Sequence, residues 1–172
     1  MFTFAVITIS DKGASGKRID TSGAGLKQLL EGEGFTLVHY EIVPDEQAQI
    51  GAATIRAVDD MSADLVLTTG GTGVSPRDVT PESMDQVFAR EIPGIAEAMR
   101  AASLKITPHA VLSRGRAGIR GQSMIINLPG SRKGALENLH TVLPAIHHGL
   151  LKIKGDDGDC ADCIVATVKQ KP

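Results

Sequence analysis

The chain has 172 residues, of which 42% are hydrophobic and 22% are charged, and its formal net charge at pH 7 is −2. This composition is typical of one globular domain that buries a core without disulfides or structural metals. The small net charge gives no general reason to expect nucleic acid binding, so any anion site must be local. No apolar run reaches the length of a membrane span, and the first residues, MFTFAVITIS, carry no basic segment or cleavage signature. We therefore expect a cytoplasmic protein with neither nucleic acid nor membrane as a partner.

Strands and helices alternate in the first half of the chain. Apolar runs predict strands at residues 2–9, 35–43 and 64–69. Thr21 or Ser22 is suited to cap a helix between the first two strands, and a second helix follows residues 44–46. This β-α-β-α-β order favours a largely parallel sheet with helices on both faces.

The second half begins with a helix at Thr80-Pro81-Glu82, which supplies a cap, a proline at the first helical position and an early carboxylate. The further predictions are a helix at 94–104, an irregular strand or ribbon at 111–121, a core strand at 123–128 and a final helix capped by Ser131. Pro144 predicts a kink or a division in that last helix. From residue 154 the sequence is polar and acidic, so we expect a domain of residues 1–153 and a tail of residues 154–172.

Four loops are predicted at one edge of the sheet. Functional loops of a mainly parallel sheet follow the carboxyl ends of its strands. The loops that meet this description are residues 10–13, 44–46, 70–78 and 127–131. If the strands are parallel, all four loops converge.

The loop Gly70-Gly71-Thr72-Gly73 is rich in glycine but matches neither a P-loop nor the dinucleotide fingerprint G-x-G-x-x-G. Glycine N–H groups next to a helix N-terminus form a pocket suited to phosphate. A tight strand-to-helix turn explains the same glycines equally well. The glycine pattern alone does not choose between these two interpretations.

Asp78 favours the functional interpretation. A carboxylate in a phosphate-binding loop would repel its ligand unless it also held a cation, and Mg²⁺ is the natural choice. Asp45 follows the second strand, where it could supply a second ligand or orient a metal-bound water. Taken singly, each aspartate is more typical of a helix cap, but as a pair at one edge they favour a metal site.

Basic residues are frequent in the sequence around this predicted edge: Arg77, Arg114, Arg116, Arg120, Arg132 and Lys133. Scattered basic side chains usually belong to the solvated surface. Those at 114–120 lie among glycines, which also permits contacts to an anion.

The sequence does not favour a covalent or a zinc-dependent mechanism. Cys160 and Cys163 form a C-x-x-C sequence, but no second cysteine pair completes a zinc site. The neighbouring Asp159 and Asp162 would raise a thiol pKa, so we expect a structural or incidental role for the cysteines. The five histidines lack metal-binding spacing, and no Gly-x-Ser-x-Gly elbow is present.

Thr69-Gly-Gly-Thr-Gly73, followed by Arg77-Asp-Val-Thr-Pro-Glu82, closely resembles the signature of molybdenum cofactor biosynthesis proteins of the MogA/MoaB group, which includes molybdopterin adenylyltransferases. Further matches follow in the family's order: Ser10-Asp11, Asp20-Thr21-Ser22-Gly23, Val43-Pro44-Asp45-Glu46 and Asn127-Leu128-Pro129-Gly130-Ser131. The combined motifs are specific.

The resemblance implies a molybdopterin-binding-like three-layer α/β/α sandwich with a mostly parallel, mixed sheet, often assembled as a trimer. It implies adenylyl transfer from Mg-ATP to the terminal phosphate of molybdopterin with release of pyrophosphate. Catalytic and metal-binding roles are carried over to Asp45 and Asp78. Substrate-binding roles are carried over to Ser10, Asp11, Thr69, Gly70, Gly71, Thr72, Gly73, Arg77, Asn127, Pro129, Gly130 and Ser131.

The chain departs from the family pattern at Arg132, where many relatives have proline. Two other functions stay open at this point. One is a non-catalytic molybdopterin-binding or scaffold protein of the same pathway, and the other is a related domain acting on a different nucleotide or pyrophosphate substrate. The sequence does not separate a trimer from a hexamer, or tell which aspartate binds the metal.

Overall fold

The computed structural model describes residues 1–158, so the expectations for Cys160 and Cys163 lie outside the described residues. The strands are β1 (Thr3–Ile9), β2 (Thr36–Val43), β3 (Leu65–Thr69), β4 (Arg90–Glu91), β5 (Ala117–Arg120) and β6 (Ser123–Leu128). The α-helices are α1 (Asp11–Ala14), α2 (Ser22–Gly32), α3 (Gln47–Asp59), α4 (Thr80–Ser83), α5 (Pro93–Leu104) and α6 (Arg132–Ile153). Short 3₁₀ turns lie at Met84–Gln86 and Pro108–Leu112.

All six strands form one mixed sheet in the order β2-β1-β3-β6-β5-β4. The four strands β2, β1, β3 and β6 pair in parallel, and each parallel neighbour is reached by a long crossover that contains at least one helix. β5 and β6 form an antiparallel hairpin, whose turn contains Gly121 at a φ of 55°. β4 pairs antiparallel with β5. The prediction of a mostly parallel, mixed sheet in an α/β fold is confirmed.

The sheet separates two hydrophobic cores, as the alternation of side chains along β1 requires. Phe4 and Val6 pack on the side covered by α2, α5 and α6, whereas Ala5 and Ile7 pack on the side covered by α3. Every one of these four side chains is fully buried. Three layers result, with helices on both faces of the sheet.

Pro144 does not divide the last helix, so the predicted division is wrong. α6 runs for 22 residues with Pro144 inside it. The proline lies on the exposed face, while Val142 and Ile146 on either side are buried against the sheet. This packing offsets the lost hydrogen bond. No helix within residues 1–158 combines the length and apolarity that crossing a membrane requires.

Candidate active site

The carboxyl ends of β1, β3 and β6 lie side by side, and their loops touch through the main chain. Gly70 has a φ of 112°, and a Cβ atom there would lie 2.2 Å from the carbonyl oxygen of Ile9. A Cβ atom on Gly130 would lie 3.2 Å from the Cα atom of Gly70. Residue 70 must therefore be glycine for the three loops to meet here.

Hydrogen bonds from side-chain hydroxyl groups connect these loops. Thr69 donates a hydrogen bond from Oγ1 to the carbonyl oxygen of Pro129 at 2.7 Å. Ser22, at the start of α2, donates from Oγ to the carbonyl oxygen of Gly130 at 2.8 Å. The start of α2 is thus tied to the same edge of the sheet.

The glycine-rich loop presents unpaired main-chain donors. Gly71 has a φ of 62°, and a Cβ atom there would lie 2.4 Å from Oγ1 of Thr80. Within residues 1–158, the N–H groups of Gly71, Thr72 and Gly73 donate no hydrogen bond to the protein. Consecutive free N–H groups at a strand end are suited to an anion such as phosphate.

Two cavities flank the turn at Gly130 and Ser131, which lines both. The larger has a volume of about 490 Å³, and its walls come from the ends of β1 and β3 and the starts of α2 and α6. Its lining includes the predicted residues Ser10, Asp45, Thr69, Gly70, Gly71, Gly130 and Ser131. The smaller has a volume of about 350 Å³, and its lining includes Thr72, Gly73 and Pro129.

Asp45 lies in the wall of the larger cavity and is reciprocally bonded to Asp11. The Asp11 N–H donates to Oδ2 of Asp45 at 2.8 Å, and the Asp45 N–H donates to Oδ1 of Asp11 at 3.1 Å. Burial raises the pKa of the Asp45 carboxyl, and the negative charges of Asp11 and Asp78 raise it further. The hydrogen bond from the Asp11 N–H and the charge of Arg77 lower this pKa but do not cancel the increase. Such a carboxylate gains from a nearby cation.

Asp78 belongs to the loop beyond the glycines. Its Oδ2 accepts a hydrogen bond from the N–H of Ser75 at 2.8 Å, and its own N–H donates to the carbonyl oxygen of Ser75 at 2.9 Å. A Cβ atom on Gly73 would lie 2.9 Å from Asp78 Oδ2. The side chain lines neither cavity, but its charge acts on Asp45.

Arg77 and Asp11 form an ion pair outside the two cavities. The Arg77 guanidinium contacts both carboxylate oxygens of Asp11 and also Oε1 of Glu46, the latter at 2.9 Å. The hydrogen bond from Arg77 lowers the pKa of the Asp11 carboxyl, and the acids raise the pKa of Arg77. The guanidinium therefore braces the loops that follow β1 and β2.

Asn127 and Arg120 also lie outside the walls of the two cavities. Asn127 is 1% exposed, and its Nδ2 donates to Oγ1 of Thr68 at 2.9 Å. Arg120 was expected at the site edge, and this is wrong. Because β5 is antiparallel to β6, Arg120 lies at the opposite end of the sheet, paired with Asp59 at 2.6 Å.

No site role was predicted for Asp20, which lies in the wall of the larger cavity just before α2. Asp20 accepts hydrogen bonds from the N–H groups of Ser22 and Gly23 at 3.0 and 2.9 Å, and from the hydroxyl of Tyr40. Burial, together with the bond to Asp20, raises the pKa of Tyr40. The signal available was the Asp-Thr-Ser-Gly motif, since an aspartate before a helix is a capping residue.

Arg18 and Arg132 add positive charge to the wall of the larger cavity. Neither forms an ion pair with another described residue. The cavity therefore combines the free cations, the free N–H group of Gly71 and the half-buried carboxylate of Asp45, a combination suited to a phosphorylated ligand carrying a metal ion.

The sequence from residue 5 to residue 148 matches the model of a family described as a probable molybdopterin binding domain. The chain belongs to this family. The resemblance to the MogA/MoaB group is thereby confirmed.

Named relatives agree with the family match. The chain is 43% identical over 153 residues to the molybdopterin adenylyltransferase of Helicobacter pylori strain J99, covering 88% of this chain and 87% of the relative. The crystal structure of the molybdopterin biosynthesis enzyme MoaB from Thermus thermophilus superposes with a TM-score of 0.85 and 47% identity, covering 90% of this chain and 98% of that one. The Mog protein of Mycobacterium ulcerans gives a TM-score of 0.83 and 40% identity, with coverages of 89% and 99%.

Proposed function

We propose that the chain is a molybdopterin adenylyltransferase, which transfers AMP from Mg-ATP to the terminal phosphate of molybdopterin and releases pyrophosphate. The observation that carries the proposal is the run of three free N–H groups at residues 71–73, which begins in the wall of the larger cavity at Gly71 and continues into that of the smaller. The family match and the name of the Helicobacter relative support the same activity.

The two cavities on either side of Gly130 and Ser131 suit a reaction with two substrates. One substrate occupies each cavity, so that their phosphates meet above the turn. The free N–H groups of Gly71, Thr72 and Gly73 bind phosphate oxygens at this point. Holding both polyanions in line is the main requirement of phosphoryl-type transfer.

The aspartates fit a magnesium ion that arrives with the nucleotide. Mg²⁺ is ordinarily bound by one or two carboxylates together with phosphates and water. Within residues 1–158 no group of three or more His, Cys, Asp or Glu is arranged to hold a metal alone, and the raised pKa of Asp45 marks a carboxylate that would gain from a cation. Asp45 and Asp78 would hold the ion, which supplies charge neutralisation of the phosphates.

The transfer needs no nucleophile from the protein. An oxygen of the terminal molybdopterin phosphate is already ionised, and it forms a bond to the α-phosphorus of ATP while the bond to the bridging oxygen breaks. Pyrophosphate leaves with the electron pair of that bond. The free N–H groups and Arg132 offset the repulsion between the two anions.

The proposal extends to assembly and location. The MogA/MoaB resemblance favours a homotrimer that acts in the cytoplasm. Light scattering on the purified protein measures the assembly, and a monomer at all concentrations would contradict a trimer.

The experiment is to incubate the purified protein with molybdopterin and Mg-ATP and to measure pyrophosphate. We expect release only when both substrates are present. Asp78→Asn should reduce turnover more than molybdopterin binding, whereas Asp60→Asn, on an exposed helix end, should change neither. Tight molybdopterin binding without pyrophosphate would support a non-catalytic binding protein instead.

A further inference from the structure

We propose that Arg114 is a positioning residue that holds the loop of residues 72–78 in its substrate-binding conformation. This inference rests on the proposed function, because that loop contains donors for the phosphates and the carboxylate of Asp78. It adds a residue to which neither the family resemblance nor the cavity walls assign a role.

Arg114 hydrogen-bonds to the main chain at both ends of the loop. Its own N–H donates to the carbonyl oxygen of Thr72 at 2.9 Å, and its Nε donates to that of Gly73 at 2.7 Å. Its Nη2 donates to the carbonyl oxygen of Asp78 at 2.5 Å. One guanidinium thus joins the phosphate donors to the residue proposed to hold the metal.

No other described residue performs this task. Within residues 1–158, Arg114 is the only residue outside the loop that hydrogen-bonds to the main chain of residues 72–78. The remaining bonds to that main chain are internal to the loop and join Ser75 with Arg77 and Asp78. Without Arg114, a glycine and a short internal turn would define the loop alone.

Glu82 fixes the direction of the guanidinium. Its Oε1 accepts from Nη1 of Arg114. Burial opposes ionisation of Glu82, but the hydrogen bond and the charge of Arg114, together with a main-chain hydrogen bond, hold the carboxyl pKa below its ordinary value. The other carboxylate oxygen is buried without a hydrogen-bond partner among the described residues. The carboxylate therefore depends on Arg114, and the planar guanidinium is held edge-on to the loop.

The proposal is tested with Arg114→Gln, Arg114→Lys and the double variant Arg114→Gln with Glu82→Gln. Arg120→Gln is the matched control, because Arg120 also pairs with a partly exposed carboxylate but lies at the opposite end of the sheet. The measurements are kcat and KM for Mg-ATP, the Kd of a non-hydrolysable ATP analogue with Mg²⁺, and Tm.

We expect Arg114→Gln to lower kcat/KM by on the order of 100-fold and to weaken analogue binding, because a displaced loop misplaces the phosphates. Arg114→Lys should stay within about tenfold of the glutamine variant, since lysine lacks the planar fork. The double variant should recover Tm, because no carboxylate is left without its ion-pair partner, but it should not recover kcat/KM.

Recovery of activity together with Tm in the double variant would overturn the proposal, because Arg114 would then serve only stability. So would a kcat/KM for Arg114→Gln within about twofold of Arg120→Gln. If the wild type releases no pyrophosphate but binds the analogue, the proposed function fails. The positioning role is then supported if Arg114→Gln loses analogue binding and overturned if it does not. If the wild type neither turns over nor binds the analogue, both proposals fail.

Discussion

Asp11 and Asp45 each donate a main-chain N–H to the other's carboxylate, at 2.8 and 3.1 Å. This reciprocal pair joins the loops that follow β1 and β2. It also places two negative charges side by side. Arg77 compensates one of them directly, and the pKa of Asp11 falls while that of Asp45 rises. Of the two carboxylates, Asp45 is therefore the one whose ionised form a bound cation would stabilise more.

Asp45→Asn should stabilise the apo protein at neutral pH while lowering activity. A raised pKa means that the folded state binds the proton more tightly than the unfolded chain does, so stability falls as pH rises between the two pKa values. Asparagine removes this loss and keeps an oxygen for the Asp11 N–H. The gain in Tm should be present at pH 7 and disappear below about pH 4, the ordinary pKa range of aspartate. A lower Tm for the variant at pH 7 would contradict the prediction.

The pH profile of kcat/KM should show an acid limb assigned to Asp45. Activity requires the ionised carboxylate, so it should fall as pH decreases through a pKa above the ordinary value for aspartate. Saturating Mg²⁺ should shift this limb to lower pH, since a bound cation favours the charged form. Asp59→Asn, far from the site, should leave the profile unchanged, and a limb insensitive to Mg²⁺ would count against the assignment.

Gly70→Ala should destabilise the protein by about 2–4 kcal/mol, because the new Cβ atom collides with the Ile9 carbonyl and the backbone lies in the left-handed region. Gly34→Ala is the control. Gly34 also has a positive φ, of 83°, but apart from its chain neighbours no described residue lies within 4 Å of the position that its Cβ would take, so about 1 kcal/mol is expected. Urea unfolding measures both, and equal losses would show that contact with Ile9 is not the cause.

Arg132→Ala should raise KM for Mg-ATP or molybdopterin by about tenfold, because the variant loses one charge-assisted hydrogen bond to a phosphate. Stability should change little, because the side chain is exposed and forms no ion pair with a described residue. Lys27→Ala, on the exposed face of α2, is the matched control. Unchanged KM values for both substrates would exclude Arg132 from the binding site.

Chelation by EDTA should abolish pyrophosphate release without lowering Tm. The two cores consist of hydrophobic side chains, and no described group of side chains is arranged to hold a metal alone. Re-addition of Mg²⁺ should restore full activity. A drop in Tm on chelation would indicate a structural metal instead.

The sequence predicted the edge of the sheet at which the site lies, because parallel strands with glycine-rich ends converge by a topological rule. It misplaced Arg120, since the direction of β5 depends on pairing with β6 rather than on local pattern. It did not place Arg18 in the wall, because that position results from how α2 docks on the sheet. The resemblance predicts site roles for Asp45 and Asp78, but it does not show how their surroundings differ. That difference depends on which side chains pack around each carboxylate, and a short motif does not contain this information.

Gly70 and Gly130 lie close together and both line the larger cavity, so this part of its wall is main chain without side chains. A side chain introduced at either glycine would collide with neighbouring main chain, so substitution cannot reshape this part of the wall without disturbing the fold. We therefore expect changes in ligand preference to arise from side chains elsewhere in the cavity wall, such as Arg18 and Arg132.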